Sequence, residues 1–357
     1  MSIKKISQMT GASLATVSRV LNDPNHKCKD ESVRRRVFEA ARQLNYIPNE
    51  HARGLRKKYS EEQRIRYIDI LVTRDQSDPF FSELLRIAEV YAHSNGFVIS
   101  HIWHNCLFSN LRQCKFENIA QIVQNTYSQD LMHANGVLVL GRISKSAVME
   151  IKKYCGNVVS LSRNYENLDV DEIICDGNKN AHAAVEHLIQ LGHKSIAYVG
   201  CCDNESRYAG YQRALLKYDL IPNVHYVYEC EETLENGIKA FIFFSQMRNP
   251  PTGIYCSNDI IALGLLQAAY PRKLAQQGKY MPSIVSTDDI DEAQYAQPML
   301  TTIRIPKEEM VRISFMMLQD RIENGHMTAI KMEFKGKLIV RESTQRAENS
   351  FECEYYI

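Results

Sequence analysis

Residues 3–22 read IKKISQMTGASLATVSRVLN, and this stretch decides how the chain begins to fold. Apolar residues recur at helical spacing on both sides of a break at Thr10-Gly11. Ser13 can cap the second helix, because a Ser hydroxyl accepts a hydrogen bond from the free backbone N–H groups of a first turn. The pattern therefore predicts a helix-turn-helix. Its apolar positions are Ile3, Ile6, Met9, Val17, Val20 and Leu21.

A third helix is predicted to follow. Asp30 or Ser32 can cap its start, and Pro48 prevents it from continuing beyond Tyr46-Ile47, since proline lacks a backbone N–H and clashes with the preceding turn. Three short helices of this kind can close a small all-α core. The apolar stripe of the third helix consists of Val33, Val37, Ala40, Ala41 and Leu44.

The second helix leaves small, polar and cationic side chains outside its apolar stripe, and these types fit the major groove of DNA. Leu14 and Ala15 carry no hydrogen-bonding side-chain groups, so we expect them to contact thymine methyl groups or to sense groove shape. Polar readout is then left to Ser18, Arg19 and Asn22.

Charge is distributed unevenly along the chain. Residues 1–58 contain 13 Lys and Arg against 5 Asp and Glu, whereas the remaining residues contain 30 against 37. The net charge of +1 is therefore the sum of a basic head and an acidic body. This distribution is expected if only the head contacts phosphate groups. Arg34, Arg35 and Arg36 could form a solvated face, but a third helix beside the groove makes some phosphate contact the expectation.

The head resembles the DNA-binding domain of the LacI/GalR family of transcriptional regulators. The matching motifs are ATVSRVLN at 15–22, LNYIPN at 44–49 and ARGL at 52–55. A bare helix-turn-helix pattern could belong to an ordinary three-helix surface domain, but three motifs in this order are far more specific. The resemblance implies double-stranded operator DNA as a partner. The residues assigned to DNA binding are Ser13, Leu14, Ala15, Thr16, Ser18, Arg19, Asn22, Tyr46, Asn49, His51, Ala52 and Leu55.

Residues 49–56, NEHARGLR, resemble the family segment that becomes helical when two copies meet on DNA. In that segment Leu55 would act as an apolar wedge in the minor groove and kink the duplex. Gly54 costs about 1 kcal/mol of helix propensity relative to Ala. The hinge helix is therefore expected to be marginal without its partner and DNA.

Composition narrows the class of protein. At 357 residues, 24% charged and 45% hydrophobic, the chain can form two or three folding units. The start, MSIKK, runs directly into an amphipathic helix, and no run approaches the ~20 apolar residues of a membrane span. Secretion and membrane insertion are therefore disfavoured. The expected location is the bacterial cytoplasm, in association with the nucleoid.

The cysteine and histidine residues predict neither disulfides nor a metal site. The 10 cysteines are scattered over a long chain, so reduced structural thiols are expected. His101, His104 and Cys106 are ligand types for a transition metal, and Cys201-Cys202 is a vicinal pair. The histidines follow a strand-like run, however, and no second cluster completes a zinc site. No metal and no cofactor is predicted.

Beyond residue 64, apolar strand-like runs alternate with amphipathic helices, a pattern typical of parallel α/β architecture. The predicted strands are 67–72, 97–102, 136–140, 195–199, 253–256 and 283–286. The predicted helices are 80–94, 111–123, 180–191, 208–218 and 260–269.

This body resembles the two-lobed, periplasmic-binding-protein-like sensor of the LacI/GalR family. The matching motifs are HLIQLGH at 187–193, RYAGY at 207–211, NDIIALG at 258–264, DDI at 288–290, PMLTTI at 298–303 and REST at 341–344. The resemblance implies two parallel sheets and three crossovers between the lobes. It also implies a homodimer, and the tail lacks the apolar heptads of a tetramerisation helix.

The resulting domain prediction has four parts. They are a helix-turn-helix domain at 1–48, a hinge at 49–58, an effector-binding domain at 64–345 and a tail at 346–357. The first lobe is expected at about 64–162 and 305–330, and the second at about 163–302 and 332–345.

The resemblance places effector contacts at strand ends that face the cleft. Arg207 offers a planar fork of donors, Asp288 can accept from hydroxyls, and Asn258 can donate and accept. Phe80 and Phe81 can present an aromatic face. Each residue also has an ordinary structural role open to it: a salt bridge, a turn cap, a loop position or core packing. Together they suit a neutral polyhydroxylated ligand such as a sugar.

The sequence therefore favours a repressor of a sugar-utilisation operon with a small sugar as effector, and a general likeness to galactoside-responsive members of the family favours a galactoside. The alternative within the family is a nucleobase or a phosphocarrier protein as effector. A transport-type sugar-binding protein shares the body but not the basic head. An enzyme is disfavoured, since the chain contains neither a G-x-G-x-x-G after its early strands nor a Walker-type loop.

Overall fold

A computed structural model describes residues 3–22, 31–44, 65–74, 78–108, 121–124, 134–162, 167–203, 205–270 and 280–347. The chain divides into two compact units, Met1–Arg64 and Ile65–Ile357. The predicted hinge at 49–58 lies outside the described residues, as does most of the predicted tail and most of the predicted helix 111–123.

The first unit contains three helices. They are α1 (Ile3–Thr10), α2 (Leu14–Asn22) and α3 (Glu31–Gln43). Ser13 caps α2 as predicted, because its Oγ accepts from the Thr16 N–H at 3.1 Å. Gly11 makes the turn between α1 and α2 with φ +67°, a conformation that favours glycine. The buried core consists of Ile6, Val17, Val20, Val37, Ala40 and Ala41.

One predicted apolar position of α1 is wrong. Met9 is 50% exposed. Thr10 takes the inward position instead, and its Oγ1 donates to the Ile6 carbonyl oxygen at 2.8 Å. The buried face of this short helix therefore continues from Ile6 to Thr10, four residues later, and not to Met9, three residues later.

The second unit is an α/β structure with two six-stranded sheets. The first sheet has the order β11-β5-β4-β3-β1-β2 and the second the order β12-β10-β9-β8-β6-β7. All pairs are parallel except β10 with β12. The strands are β1 (Arg66–Val72), β2 (Phe97–His104), β3 (Gly136–Leu140), β4 (Val158–Ser162), β5 (Asp171–Cys175), β6 (Ile196–Gly200), β7 (Val227–Glu229), β8 (Gly253–Cys256), β9 (Ser283–Asp288), β10 (Thr301–Arg304), β11 (Lys331–Phe334) and β12 (Lys337–Ile339).

Helices cover the faces of both sheets, and this explains why central strands such as β3 are buried along their whole length. Residues 121–124 are also helical. Among the described helices, none combines the length and the hydropathy that a membrane crossing requires. The helices of this unit are α4 (Pro79–Ser94), α5 (Lys145–Lys152), α6 (Gly177–Gln190), α7 (Ser206–Lys217), α8 (Leu234–Ser245), α9 (Asp259–Ala269) and α10 (Lys307–Ile322).

The chain passes between the sheets three times, as the sequence predicted. It crosses from β5 to α6, from β10 to α10, and from β11 to β12. In parallel α/β structures each helix starts at the carboxyl edge of the sheet that it covers. Because α6 follows the carboxyl end of β5 and leads into the second sheet, the carboxyl edges of the two sheets face each other at the crossovers.

Two predicted lobe boundaries are wrong. The second lobe was expected to begin at 163, but β5 pairs with β4 in the first sheet. It was expected to resume at 332, but β11 pairs with β5 and also belongs to the first sheet. The strand β5 escaped prediction because it begins with Asp171-Glu172, yet both residues are buried. Tertiary ion pairs, which the sequence pattern does not show, make this burial possible.

Candidate functional site

The exposed face of α2 has the composition that the sequence predicted. Leu14 is 47% exposed, Ala15 and Arg19 are exposed, and Ser18 is partly exposed. Thr16 is also partly exposed and shares a 2.8 Å hydrogen bond with the capping Ser13. The DNA-binding roles of these residues stay predictions. The side chain of Asn22, and all of Tyr46, Asn49, His51, Ala52 and Leu55, lie outside the described part of the chain.

The basic side chains of α3 lie on its polar side. Arg35 and Arg36 are exposed. Arg34 is partly buried, and its guanidinium carbon lies 5.8 Å from the centre of the Phe38 ring one turn later. These three positive charges of the head are therefore borne by side chains that are at least partly accessible to phosphate groups.

In the second unit, Arg207 lies in the first turn of α7 and is 2% exposed. Its Nε donates to Glu205 at 2.8 Å, and its two Nη atoms donate to the Ser257 carbonyl oxygen at 2.8 Å and to Glu232 at 2.5 Å. Three of the five guanidinium N–H groups are thus used by the protein, which leaves at most two for an effector. The planar guanidinium predicted to bind the effector is present, but it also forms ion pairs with Glu205 and Glu232.

Glu205 is the principal partner of Arg207. It caps α7 by accepting from the Arg207 backbone N–H at 3.1 Å, and it is 8% exposed. Burial alone would raise the pKa of Glu205, but the charge and hydrogen bonds of Arg207 outweigh burial and hold this pKa below its ordinary value. The carboxylate is therefore ionised at neutral pH and depends on the guanidinium.

Asn258 follows β8, and Asp288 is the last residue of the neighbouring strand β9. Tyr255 of β8 pairs with Val285 of β9, so the same register places Asn258 opposite Asp288 at the carboxyl edge. Both are buried, at 3% and 2% exposure. The Asn258 Oδ1 caps α9 by accepting from the Ile261 N–H at 3.1 Å, so its amide nitrogen is the atom left to serve a ligand.

Asp288 and the next residue, Asp289, have φ angles of +133° and +51°. Such angles are strained for residues other than glycine and persist only where surrounding contacts enforce them. The Asp289 carboxylate accepts from Arg304 at 2.5 Å and from Arg341 at 2.7 Å. The Asp289 carbonyl oxygen accepts from Lys307 Nζ at 3.3 Å, a contact at the crossover from β10 to α10. Contacts to the Asp289 carboxylate and to its carbonyl oxygen thus hold this strained part of the backbone in place.

Asp259 links β8, β9 and β10 through hydrogen bonds to its carboxylate. Its carboxylate accepts from Ser286 Oγ at 2.5 Å, from Thr302 Oγ1 at 2.6 Å and from the Ile290 N–H at 2.9 Å. Burial raises the pKa of Asp259 to about 6, against the opposing effect of these three donors. β8, β9 and β10 are therefore fixed to one another just below the positions of Asn258 and Asp288.

A glycine allows the neighbouring strand ends to approach. Gly200, the last residue of β6, has φ +147°, and a Cβ placed on it would lie 2.3 Å from Ser257 Oγ. Any side chain at this position would push Ser257 away and with it the carbonyl group that accepts from Arg207. The geometry of the Arg207 site therefore depends on this glycine.

The aromatic pair of the first lobe is buried. Phe80 and Phe81 are each 2% exposed, and their rings meet edge to face with centroids 5.1 Å apart. Lys307 Nζ lies 5.4 Å from the Phe80 ring, and the Arg74 guanidinium lies 5.9 Å from the Phe81 ring. Both rings thus have the core-packing role that the sequence left open as the alternative to effector contact. An effector contact by either ring stays a prediction.

Several residues around the cleft were missed from the sequence. Their roles come from contacts between residues distant in the chain, and single-residue patterns do not show such contacts. The available signal for Glu205 was an acidic residue shortly before the predicted helix 208–218, whereas Glu232 follows no predicted strand and offered no such signal. The missed residues are Arg74, Glu205, Glu232, Asp259, Asp289 and Lys307.

The histidines that were predicted to follow a strand-like run lie within β2, which extends two residues beyond the predicted end at 102. His101 Nδ1 lies 3.3 Å from the Asp69 carboxylate, and the His101 ring stacks on Trp103 with centroids 5.2 Å apart. Within the described ranges, no three His, Cys, Asp or Glu side chains converge in a way that could hold a metal ion.

Comparison with known proteins accounts for both units. The family model described as "Bacterial regulatory proteins, lacI family" matches residues 2–49, and that for a "Periplasmic binding protein-like domain" matches residues 185–344. The chain belongs to the LacI family of bacterial regulatory proteins. The HTH-type transcriptional repressor CytR of Escherichia coli K12 is 28% identical, over 96% of each chain. The repressor PurR of Vibrio campbellii is 26% identical, over 96% of this chain and 98% of its own.

Solved structures of the family share the fold. The transcriptional regulator CelR in complex with cellobiose has a TM-score of 0.64 at 21% identity, covering 96% of this chain and 99% of its own. The predicted family and fold class are therefore confirmed. Like its LacI-family relatives, the protein is a DNA-binding transcriptional repressor and not an enzyme.

Proposed function

We propose that this repressor binds a pseudo-palindromic operator as a homodimer, and that a small sugar between the two lobes controls that binding. The observation that carries the proposal is the convergence of Arg207, Asn258 and Asp288 at one carboxyl edge. This edge belongs to a chain whose head presents an exposed polar helix face. Cleft and head are the two parts that an effector-controlled repressor needs.

A sugar suits the polar groups at this edge. Asp288 supplies carboxylate oxygens for hydroxyl donors, the Asn258 amide nitrogen can donate, and Arg207 retains at most two N–H groups. The related CelR structure contains cellobiose, which supports a sugar for this chain as well. A galactoside is the specific candidate, and no cofactor besides the effector is required.

Dimer symmetry explains how the DNA would be read. Two copies related by a two-fold axis present two α2 helices, so the operator should contain two matching half-sites. The balance of 13 basic against 5 acidic residues in 1–58 supports phosphate contact by the head alone. We place this activity in the bacterial cytoplasm, at the nucleoid.

Selection of duplexes from a random pool by the full-length protein tests the proposal. We expect enrichment of a pseudo-palindrome, and we expect one member of a panel of sugars, sugar phosphates and purines to change the affinity for it. A coupling of ~1–3 kcal/mol between the two sites corresponds to a change of about 5- to 150-fold. The absence of any preference for palindromic over random duplex, with and without the panel, would refute the proposal.

Leu55→Ala is expected to weaken operator binding by about 10- to 100-fold, because the minor-groove wedge that stabilises the kinked duplex is lost. Effector affinity, measured by calorimetry, should not change. Leu216→Ala is the matched control, since Leu216 is 62% exposed on α7 and carries the same chemical change. Equal operator affinity of Leu55→Ala and the parent protein would contradict the hinge assignment.

A further inference from the structure

Two arginines lie at the carboxyl edge of the first sheet, across the cleft from Arg207. Val72 of β1 pairs with Leu140 of β3, and Arg74 and Arg142 each follow two residues later. The Thr73 N–H donates to the Leu140 carbonyl oxygen at 3.0 Å, which continues the pairing beyond the strands. The two guanidinium groups therefore come from neighbouring strand ends on the same edge.

The position of Arg74 is fixed by packing. Its guanidinium lies 5.9 Å from the centre of the Phe81 ring. A Cβ placed on Gly141 would lie 3.4 Å from the Arg74 Cγ and 3.4 Å from the Phe81 ring, so the stem of Arg74 runs close to this backbone. Gly141 has φ +110°, a conformation that favours glycine. Backbone and ring thus hold the arginine stem in place.

Arg74 carries a charge that the described residues do not neutralise. Its Nε is buried without a hydrogen-bond partner, and it forms no ion pair within the described ranges. Arg207 differs, since it lies between two glutamates. A buried guanidinium nitrogen without a partner is costly, so an acceptor brought by a ligand would stabilise this part of the site.

The two edges of the cleft therefore differ in charge. On the second lobe, Arg207 is outnumbered by Glu205, Glu232 and Asp288, so that edge is suited to accept hydrogen bonds from hydroxyl groups. On the first lobe, Arg74 offers a planar fork of N–H donors. Such a fork matches the geometry of carboxylate and phosphate oxygens and binds them more strongly than it binds neutral acceptors.

We propose that the effector carries an anionic group, a carboxylate or a phosphate, which Arg74 binds at the first lobe while the second lobe binds its hydroxyl groups. This inference rests on the proposed function and narrows the effector to acidic or phosphorylated sugars. Arg142 lies alongside as a second cation for the same group. Arg74 would then gain a negatively charged partner when the ligand occupies the cleft.

The test compares neutral and anionic members of one sugar series by titration calorimetry on the full-length protein. Galactose, galacturonate and galactose 6-phosphate form one such series, and glucose, glucuronate and glucose 6-phosphate form another. We expect the carboxylate or the phosphate to bind about 10- to 100-fold more tightly than the neutral sugar. Its affinity should fall with added salt, whereas that of the neutral sugar should not. The better anion identifies which group the site takes.

Arg74→Gln should abolish this preference, with a loss of about 10- to 100-fold in affinity for the anionic sugar and little change for the neutral one. Arg86→Gln is the matched control, because Arg86 is exposed on α4 and the variant loses the same charge. Thermal unfolding of both variants checks that the fold is intact. The inference is wrong if no anion in either series binds more tightly than its neutral partner, or if Arg74→Gln keeps the preference. Operator selection by the parent protein tests the proposed function independently of both outcomes.

Discussion

Arg207→Met is expected to lower the free energy of unfolding of the second unit by about 3–5 kcal/mol and to abolish effector binding. The variant leaves Glu205, which is 8% exposed, buried without its guanidinium partner, and Glu232 loses the same partner. It also removes the donors that the Ser257 carbonyl oxygen and an effector would use. Urea denaturation and titration with the identified effector measure the two losses.

The pH dependence of this variant distinguishes a lost ion pair from lost packing. Without Arg207, burial raises the pKa of Glu205 above its ordinary value instead of leaving it below. A carboxyl group with a raised pKa stabilises the folded state at low pH and loses that contribution as pH rises through the raised pKa. The stability deficit of Arg207→Met should therefore shrink between neutral pH and pH 5. A constant deficit would show that packing, and not charge, is the cause.

Two further variants complete the experiment. The double variant with Glu205→Gln should regain part of the lost stability, because the buried charge is removed together with its partner. Arg213→Met changes an exposed arginine on the same helix and should leave both stability and effector affinity nearly unchanged. Arg207→Lys should retain some stability but not the effector affinity, since a lysine cannot reproduce the planar fork.

The helix-turn-helix head was predictable because its stability is decided locally. The cap at Ser13, the turn at Gly11 and the spacing of Val17 and Val20 are all readable from neighbouring residues. Met9 is the exception, because the choice between i+3 and i+4 is made by the helices that pack against α1. Local patterns thus give the helices but not every inward position.

The cleft was predictable in position but not in electrostatics. Motifs placed Arg207, Asn258 and Asp288 at strand ends, and the register of β8 and β9 brings the last two together. The neutralisation of Arg207 depends on Glu205 and on Glu232, which lies 25 residues further along the chain. Such tertiary pairs have no periodic signal, so the sequence assigned the Arg207 donors to an effector without showing that two glutamates share them.

The strand β5 is a clearer example of a feature that depends on tertiary pairs and is therefore not visible in the sequence pattern. Alternating or continuous apolar runs predict buried strands, but β5 begins with Asp171-Glu172 and so resembles a turn. Its acidic residues are buried because partners reach them from sequence positions far away. Glu172 lies 3.5 Å from Lys331 Nζ of β11, and Asp171 is paired with Arg321 of α10. The first crossover therefore lies later in the chain than the hydrophobic pattern indicates.

Asp171→Asn is accordingly expected to cost about 3–5 kcal/mol of unfolding free energy at neutral pH, because Arg321 is left without its anionic partner in a largely buried place. The carboxylate is 0% exposed and accepts from Arg321 Nη2 at 2.7 Å, from the Ile330 N–H at 2.8 Å and from His326 Nε2 at 2.9 Å. Asp169→Asn is the matched control two residues away. Asp169 is exposed and pairs only with the surface residue Lys152 among the described residues, so its loss should change little.

Titration separates the electrostatic contribution of Asp171 from its hydrogen bonds. Burial alone would raise the pKa of Asp171, but the bonds from Arg321, Ile330 and His326 outweigh it and hold this pKa below its ordinary value. The stabilisation is therefore present above the unfolded pKa of about 3.9 and is lost as pH falls through the folded pKa. The parent protein and Asp171→Asn should thus converge in stability only below about pH 4. The pKa of His326, raised mainly by Asp320 and further by Asp171, should fall in the variant when followed by NMR. An unchanged His326 titration would contradict the arrangement of this cluster, because the His326 Nε2–H could not then be donating to the Asp171 carboxylate.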